Sequence, residues 1–297
     1  MAVTGVPGLE PALSLPEFRS LVLERGRELY RDLPWRRTRD PYAIWISEVM
    51  LQQTQTTRVD GRWQRWLARF PSVGALAEAD AADVLDEWQG LGYNRRALAL
   101  HRAAGAVMEL GGELPEDAKK LEALPGIGPA TAAGIRAFAF DLHSVYLETN
   151  VRSVFLHELF PGEEGVSDRA LVPLVSATCP EDASDPADDP RAWYYALLDY
   201  GAYLKRTVPN PSRRSRTHAR QSRFEGSHRQ KRAELLRVLL AHRGEPDGLG
   251  LAAICEELAS VEEKAGRRPI CAPEVEALLD ELSREGFCRP GEGAWRV

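Results

Sequence analysis

The stretch "LPGIGPATAAGI", residues Leu124 to Ile135, packs Pro125, Gly126, Gly128 and Pro129 into five positions. It lies between the polar helical run "EDAKKLEA" and an Ala-rich run. A helix that restarts straight after such a turn presents unpaired backbone N–H groups at its N-terminus, where the helix dipole also favours an anion. Gly126 and Gly128 carry no side chain to block close approach, and Pro129 suits a first helical turn, where its missing N–H is no loss. The turn therefore reads as a seat for a phosphate, with an ordinary helix connection as the alternative for the motif taken alone.

Working outward, the chain is helical nearly throughout. "PEFRSLVLERGRELYRDL", "DPYAIWISEVMLQQTQTTRVDGRWQRWLARF", "NRRALALHRAAGAVMEL" and "PRAWYYALLDYGAYLKR" space apolar residues by three or four, and strand-like alternation is scarce. Short Gly/Pro breaks such as "FPSVG", "GLGYN" and "GGELPE" separate the helices, so an all-α body is expected. In the second of these runs, continued as helix, Glu48, Leu51, Gln52 and Gln55 share one face. After residue 226 the texture changes: three helical segments are followed by "CRPGEGAWRV", which reads as a hairpin, so residues 227–297 resemble a small winged-helix module.

The 297 residues, 44% hydrophobic and 28% charged, allow two or three compact units with real cores. Cys179, Cys255, Cys271 and Cys288 lack close pairing and C-x-x-C spacing, so neither a disulfide framework nor a cysteine metal site is indicated. No apolar run reaches membrane-spanning length, and the first residues lack a leader pattern; a cytoplasmic, nucleoid-associated monomer without membrane contact is expected. Charge is unevenly placed. Lys205 to Arg232 holds ten Lys/Arg against the single acid Glu225, in a chain of formal net charge −6. Residues 233–297 hold thirteen acids against eight Lys/Arg, which points to docking or stabilisation rather than a second nucleic-acid reader.

"LPGIG" followed by Thr131 and small residues resembles the hairpin of the helix-hairpin-helix DNA glycosylases, in which this turn grips a DNA backbone phosphate, often with a bound monovalent cation. "VYLETNVRSVF" supplies Glu148 at the family's acid position, where Asp is usual. "SEVMLQQTQT" resembles the MutY branch, the adenine glycosylases acting opposite 8-oxoguanine. The resemblance spans roughly residues 16 to 225 and implies a two-lobed fold. Residues 36–136 would form a six-helix domain carrying the hairpin, residues 1–35 and 137–226 the second lobe, and 227–297 the appended module.

It also implies roles. Glu48 falls on the general acid that protonates the leaving base, and Glu148 on the carboxylate near the sugar. Gln52 and Gln53 fall on residues that fill the gap left by the extruded nucleotide, Tyr93 on the aromatic that wedges beside the opposite base, and Arg36 and Asn150 on pocket residues. Gly126, Gly128, Arg152, Lys205, Arg206, Arg213 and Arg214 are the expected contacts to double-stranded DNA. The chemistry agrees: breaking an N-glycosidic bond builds positive charge on the sugar and negative charge on the base, so an acid and a carboxylate are both needed.

Three departures qualify the resemblance. Ala130 stands where lyases such as endonuclease III carry a nucleophilic Lys, so no Schiff base forms and a monofunctional hydrolase is expected. The iron-sulfur ligand spacing maps onto Lys205, Ser212, Ser215 and Gln221, none of them a thiolate, so no cluster is expected. The C-terminal module does not resemble the Nudix-related domain that inspects 8-oxoguanine. Adenine opposite 8-oxoguanine or G is the expected substrate, with uracil, thymine or hypoxanthine open. A non-catalytic DNA-binding repair protein is the other class, and a regulator using the terminal module a third.

Overall fold

The computed structural model describes residues 10–181, 183–217 and 223–297. The chain divides into two compact units, Met1–Gln52 with Leu114–Arg220 and Gln53–Glu113 with Gln221–Val297. The first opens with α1 (Leu15–Glu28) and α2 (Pro41–Leu51). The second takes α3 (Thr56–Val59), α4 (Arg62–Arg69), α5 (Val73–Ala77), α6 (Ala81–Glu87) and α7 (Arg95–Glu109). The first continues with α8 (Ala118–Glu122), α9 (Pro129–Phe140), α10 (Thr149–Glu158), α11 (Asp168–Thr178) and α12 (Pro190–Thr207). The second ends with α13 (His228–Ala241), α14 (Leu251–Lys264) and α15 (Ala272–Arg284). The sequence boundaries at 36–136 and 137–226 follow the family resemblance and that at 227–297 the change in texture, so they cut the chain differently.

Helix starts are written locally. Asp40, Asp80, Asp117 and Asp189 each accept a hydrogen bond from the first turn of the helix they precede, and Ser14 with Glu17 forms a reciprocal capping box on α1. Each such cap contributes about 1 kcal/mol.

In the first unit α1, α10 and α12 pack together and α2 packs on α9. Phe18 sits 4.8 Å from Phe155 and 6.1 Å from Trp193 between ring centroids, while Phe138 stacks on Tyr195 at 4.7 Å. In the second unit Trp66 packs edge-on against Phe70 and Trp88 at 5.0 and 5.5 Å. Such pairs add about 0.5–1.5 kcal/mol each beyond area burial. The terminal module has α13, α14 and α15 packed on one another, with β1 (Leu249–Gly250), β2 (Arg289–Pro290) and β3 (Ala294–Arg296) in an antiparallel sheet of order β1-β3-β2. Trp295 pairs with Leu249 and Pro290, so the final hairpin is a wing closed onto a strand from before α14. Among the described residues no helix is long and apolar enough to cross a membrane.

One expectation is overturned. The run from Asp40 to Phe70 is not one helix, and Glu48, Leu51, Gln52 and Gln55 do not share a helical face. α2 stops at Leu51; Gln52 turns to φ −57°, ψ 113°, and Gln53 enters the left-handed region at φ 54°. The polar run Gln-Gln-Thr-Gln has no apolar stripe to bury. The Gln52 amide instead donates to Thr131 Oγ1 at 2.9 Å.

Candidate active site

Glu48 lies one turn from the end of α2, where α9 crosses it. Gly134 makes the crossing possible, because a Cβ there would stand 2.2 Å from Glu48 Oε2 and 3.0 Å from Tyr146 Cε2. Glu48 is only partly exposed. Burial pushes its carboxyl up to about 8, with the nearby Glu148 charge adding to the rise and a hydrogen bond from the Tyr146 hydroxyl opposing it. Tyr146 is buried, lies edge-on to Phe138 at 5.3 Å and to Tyr194 at 5.4 Å, and its backbone N–H donates to the Tyr194 hydroxyl at 3.1 Å. Burial first, then both glutamates, hold the Tyr146 phenol well above its ordinary value, so it stays a donor.

Glu148 is the N-cap of α10. Its Oε1 accepts from the Asn150 N–H at 2.6 Å and the Val151 N–H at 3.1 Å, so the positive end of the helix faces the carboxylate. The two acids thus come together around Tyr146 in unlike settings, one with its carboxyl pushed up by burial and one bound by N–H donors. Asn150 is tight against α12: a Cβ on Gly201 would meet its carbonyl oxygen at 2.3 Å, and Asn150 Oδ1 is buried without a protein partner. Four residues on from Gly201, Lys205 is partly buried. Burial pulls the pKa of its ammonium below the usual lysine value, and the Glu148 charge pulls the other way.

Arg36 is buried, and its two terminal nitrogens donate to Asp199 at 2.6 and 2.8 Å. Its guanidinium also lies 4.3 Å from the Tyr195 ring centroid, leaving Nε without a protein partner. Arg152 is held bidentately by Asp168 at 2.8 Å, and Arg214 donates to the carbonyls of Leu156 and Phe160 at 2.7 Å, closing the end of α10. Arg206 and Arg213 are exposed. In the hairpin, Gly126 adopts φ 76° and Gly128 is the N-cap of α9 without a side-chain cap, followed by Pro129. Leu124 and Ile127 are buried while Gly126 and Gly128 face solvent, so the exposed edge of the turn is backbone.

In the second unit, Tyr93 is 39% exposed with φ 50°, beside Gly92 at φ 75°. Gln53 and Tyr93 are thus both non-glycine residues in the left-handed region, a conformation that costs about 1–3 kcal/mol and concentrates at functional sites. Arg96 links their loops, donating to Thr54 Oγ1 at 3.3 Å and to the Gly92 carbonyl at 3.0 Å.

Of the positions where an iron-sulfur cluster would be held, Ser212 and Ser215 are buried hydroxyls bonded to Asn210 and Thr217 respectively, and Lys205 is a cation. This donor set does not fit a cluster. Gln221 lies outside the described residues. Among the described residues no group of three or more His, Cys, Asp or Glu is placed to hold a metal ion.

Sequence reasoning did not single out Tyr146, Gly134, Tyr195 or Arg96. Signals existed for two of them. Gly134 interrupts an Ala-rich helix, where glycine costs stability and so points to close packing. Tyr146 lies two residues before Glu148 in non-helical chain, the spacing that puts two side chains on one side.

Comparison with known proteins places the chain in a family. A family model described as HhH-GPD superfamily base excision DNA repair protein matches residues 46–232. The adenine DNA glycosylase of Mycolicibacterium smegmatis is 37% identical over 174 residues, which is 58% of this chain and 58% of that protein. That of Mus musculus is 36% identical over 206 residues, 66% of this chain and 39% of that protein, so the chain covers less than two thirds of either relative. A solved thermostable thymine-DNA glycosylase shares the fold, with TM-score 0.56 and 24% identity over 66% of this chain and 88% of that one. The match extends over more than half of the residues and includes the hairpin and both acids: the chain belongs to the HhH-GPD superfamily of base excision DNA repair proteins.

Proposed function

We propose that the chain is a monofunctional DNA glycosylase that hydrolyses the N-glycosidic bond of an adenine swung out of duplex DNA, opposite 8-oxoguanine or G. The observation that carries this reading is the pairing of a protonatable Glu48 with an N–H-bound Glu148, both close to Tyr146. Relatives 36–37% identical that are named adenine DNA glycosylases support the choice of base.

In this mechanism the glycosidic electron pair leaves with the base, which takes the Glu48 proton. Glu148 faces the cationic sugar, a water adds to the anomeric carbon, and the proton it gives up restores Glu48. Tyr146 and Gly134 position the acid. Asn150 and Arg36 border the pocket, while Gln52 and Gln53 fill the vacated stack. The open N-terminus of α9 seats a backbone phosphate through the N–H groups behind Gly126 and Gly128, whose exposed backbone also suits a monovalent cation. Exposed Arg206 and Arg213 add phosphate contacts, Arg152 and Arg214 hold α10 in place through Asp168 and the Leu156 and Phe160 carbonyls, and Lys205 contributes a positive charge near Glu148. One chain suffices. Ala130 provides no amine, so the product is an abasic site with an intact strand.

The test is base release from a panel of duplexes carrying A, U, T or hypoxanthine opposite G, C or 8-oxoguanine. Release of adenine with no strand cleavage is expected. Release of another base redirects the reading, and lesion-blind binding without release from any duplex favours a non-catalytic repair protein.

We also propose that the enzyme works without an iron-sulfur cluster, since Lys205, Ser212 and Ser215 at the ligand positions are not thiolates and both serine hydroxyls are taken up in hydrogen bonds. Anaerobically purified protein is expected to be colourless and free of stoichiometric iron, and unaffected in activity by iron chelation. A brown, iron-loaded preparation overturns this.

A further inference from the structure

The terminal module buries two carboxyl groups around one arginine. Glu234 on α13 is 8% exposed and Glu262 on α14 is 3% exposed, in helices that pack on each other. Arg267 serves both. Its Nη2 donates to Glu234 Oε1 and to Glu262 Oε1, each at 3.0 Å, while its Nε donates to Glu262 Oε2 at 2.8 Å. The Arg267 backbone N–H donates to the Glu262 carbonyl at 2.8 Å, which fixes the arginine at the end of α14. Glu262 is therefore satisfied at both oxygens. Glu234 is not: its Oε1 also accepts from the Gln230 amide at 2.9 Å, but its buried Oε2 has no hydrogen-bond partner among the described residues.

A buried acceptor without a donor is unfavourable, and two buried carboxylates on one guanidinium leave a negative charge uncompensated. One proton on Glu234 answers both problems. It makes Oε2 a donor with Glu262 as its acceptor, and the three side chains together become neutral. No neighbouring group supplies the missing charge instead. Glu225, in the turn before α13, stands 3.9 Å from Arg267 and adds negative charge, and Lys231 on α13 is drawn to Glu274 on α15 at 2.5 Å. Burial and the neighbouring Glu262 hold the Glu234 carboxyl above its ordinary value, whereas the hydrogen bonds from Arg267 hold Glu262 below it. The network also runs outward. Gln230, which donates to Glu234, accepts from the Gly226 N–H, and Gly226 lies in the left-handed region at φ 72° in the turn that leads into α13.

We propose that Glu234 and Glu262 share one proton, and that this proton is a latch holding α13 to α14 and fixing the turn at Gly226, so that raising the pH loosens the terminal module. The latch is independent of which base the protein excises, and of whether it excises one. Glu234 adds stability that is complete below the ordinary carboxylate range and is lost as the pH rises through its folded value. Glu262 adds stability that is complete above that range and is lost as the pH falls through its own folded value. The module is therefore tightest around the ordinary carboxylate range.

The experiment is hydrogen exchange read by mass spectrometry on the full chain without DNA, following the α13 and α14 peptides from acidic to alkaline pH after correction for intrinsic exchange. Protection of both helices is expected to fall about ten-fold per pH unit above the ordinary carboxylate range, the slope of one proton released on opening, and to level off once Glu234 ionises in the folded module. Glu234→Gln keeps the shape of the side chain and carries a permanent donor, so its protection is expected to stay flat over the same rise. Flat protection in the unaltered chain, or the same slope in Glu234→Gln, overturns the proposal. A second measurement leaves the latch residues in place: carbon-13 spectra of labelled glutamate carboxyls in Glu48→Gln, which removes the other acid held high by burial. One carboxyl is expected to keep its proton after the rest have ionised. Ionisation of all of them together overturns the proposal, even where Glu234→Gln fails to fold.

Discussion

Replacing Glu48 with Gln is expected to cut single-turnover base release by about a thousand-fold while duplex affinity stays within a few-fold, the scale of a lost general acid. The amide keeps the shape of the side chain and removes only its transferable proton. The pH profile supplies an independent check. The acid must be protonated to act, and burial holds the Glu48 carboxyl up to about 8. Release is therefore expected to be level below that point and to fall about ten-fold per pH unit above it. Tyr146→Phe removes the one hydrogen bond that lowers this value, so the alkaline limb moves further up even as the rate declines through poorer positioning. Equal turnover by Glu48→Gln, or a limb in the ordinary carboxylate range, removes Glu48 from the mechanism.

Gly134→Ala is the second large effect, although the residue has no chemistry of its own. The added methyl would stand 2.2 Å from Glu48 Oε2 and 2.9 Å from its Cδ, so either the carboxyl swings away or α2 and α9 separate. Displacing a catalytic group by this much costs about a hundred-fold in rate. Thermal unfolding followed by circular dichroism separates the two responses: a displaced carboxyl leaves the transition nearly in place, whereas parted helices lower it. Combining Gly134→Ala with Glu48→Asp withdraws the carboxylate by one methylene and is expected to recover activity relative to Gly134→Ala alone. A rate for Gly134→Ala within two-fold of the unaltered chain removes the contact from consideration.

Much of the site was legible because its signals are local. The hairpin follows from Gly126 and Gly128 with Pro129 at a helix start, and Gly126 does occupy the left-handed region that glycine tolerates. The acid Glu148 sits where its own helix begins, and the Asp caps announce the other helices. Less was legible about the arginines. Arg36 and Arg152 look like free cations in the sequence, yet Asp199 and Asp168 occupy them. Arg214 is taken up by carbonyls at the end of α10, more than fifty residues earlier. The break after Leu51 was missed for a related reason: polar glutamines are tolerated in a helix, and only the Thr131 hydroxyl across the fold shows why Gln52 leaves it.

What the sequence by itself determined is where most of the helices begin, the Gly/Pro turn before α9 and the identity of the two acids, since caps, apolar spacing and Gly/Pro placement act over a few residues. Only the tertiary structure decided which acid is kept protonated, which arginines remain free, and that Glu234 and Glu262 meet at Arg267. Proton affinity and ion pairing depend on burial and on charges within a few ångströms, and those neighbours, such as Glu48 beside Gly134 and Tyr146, are brought together by packing from segments far apart in the chain.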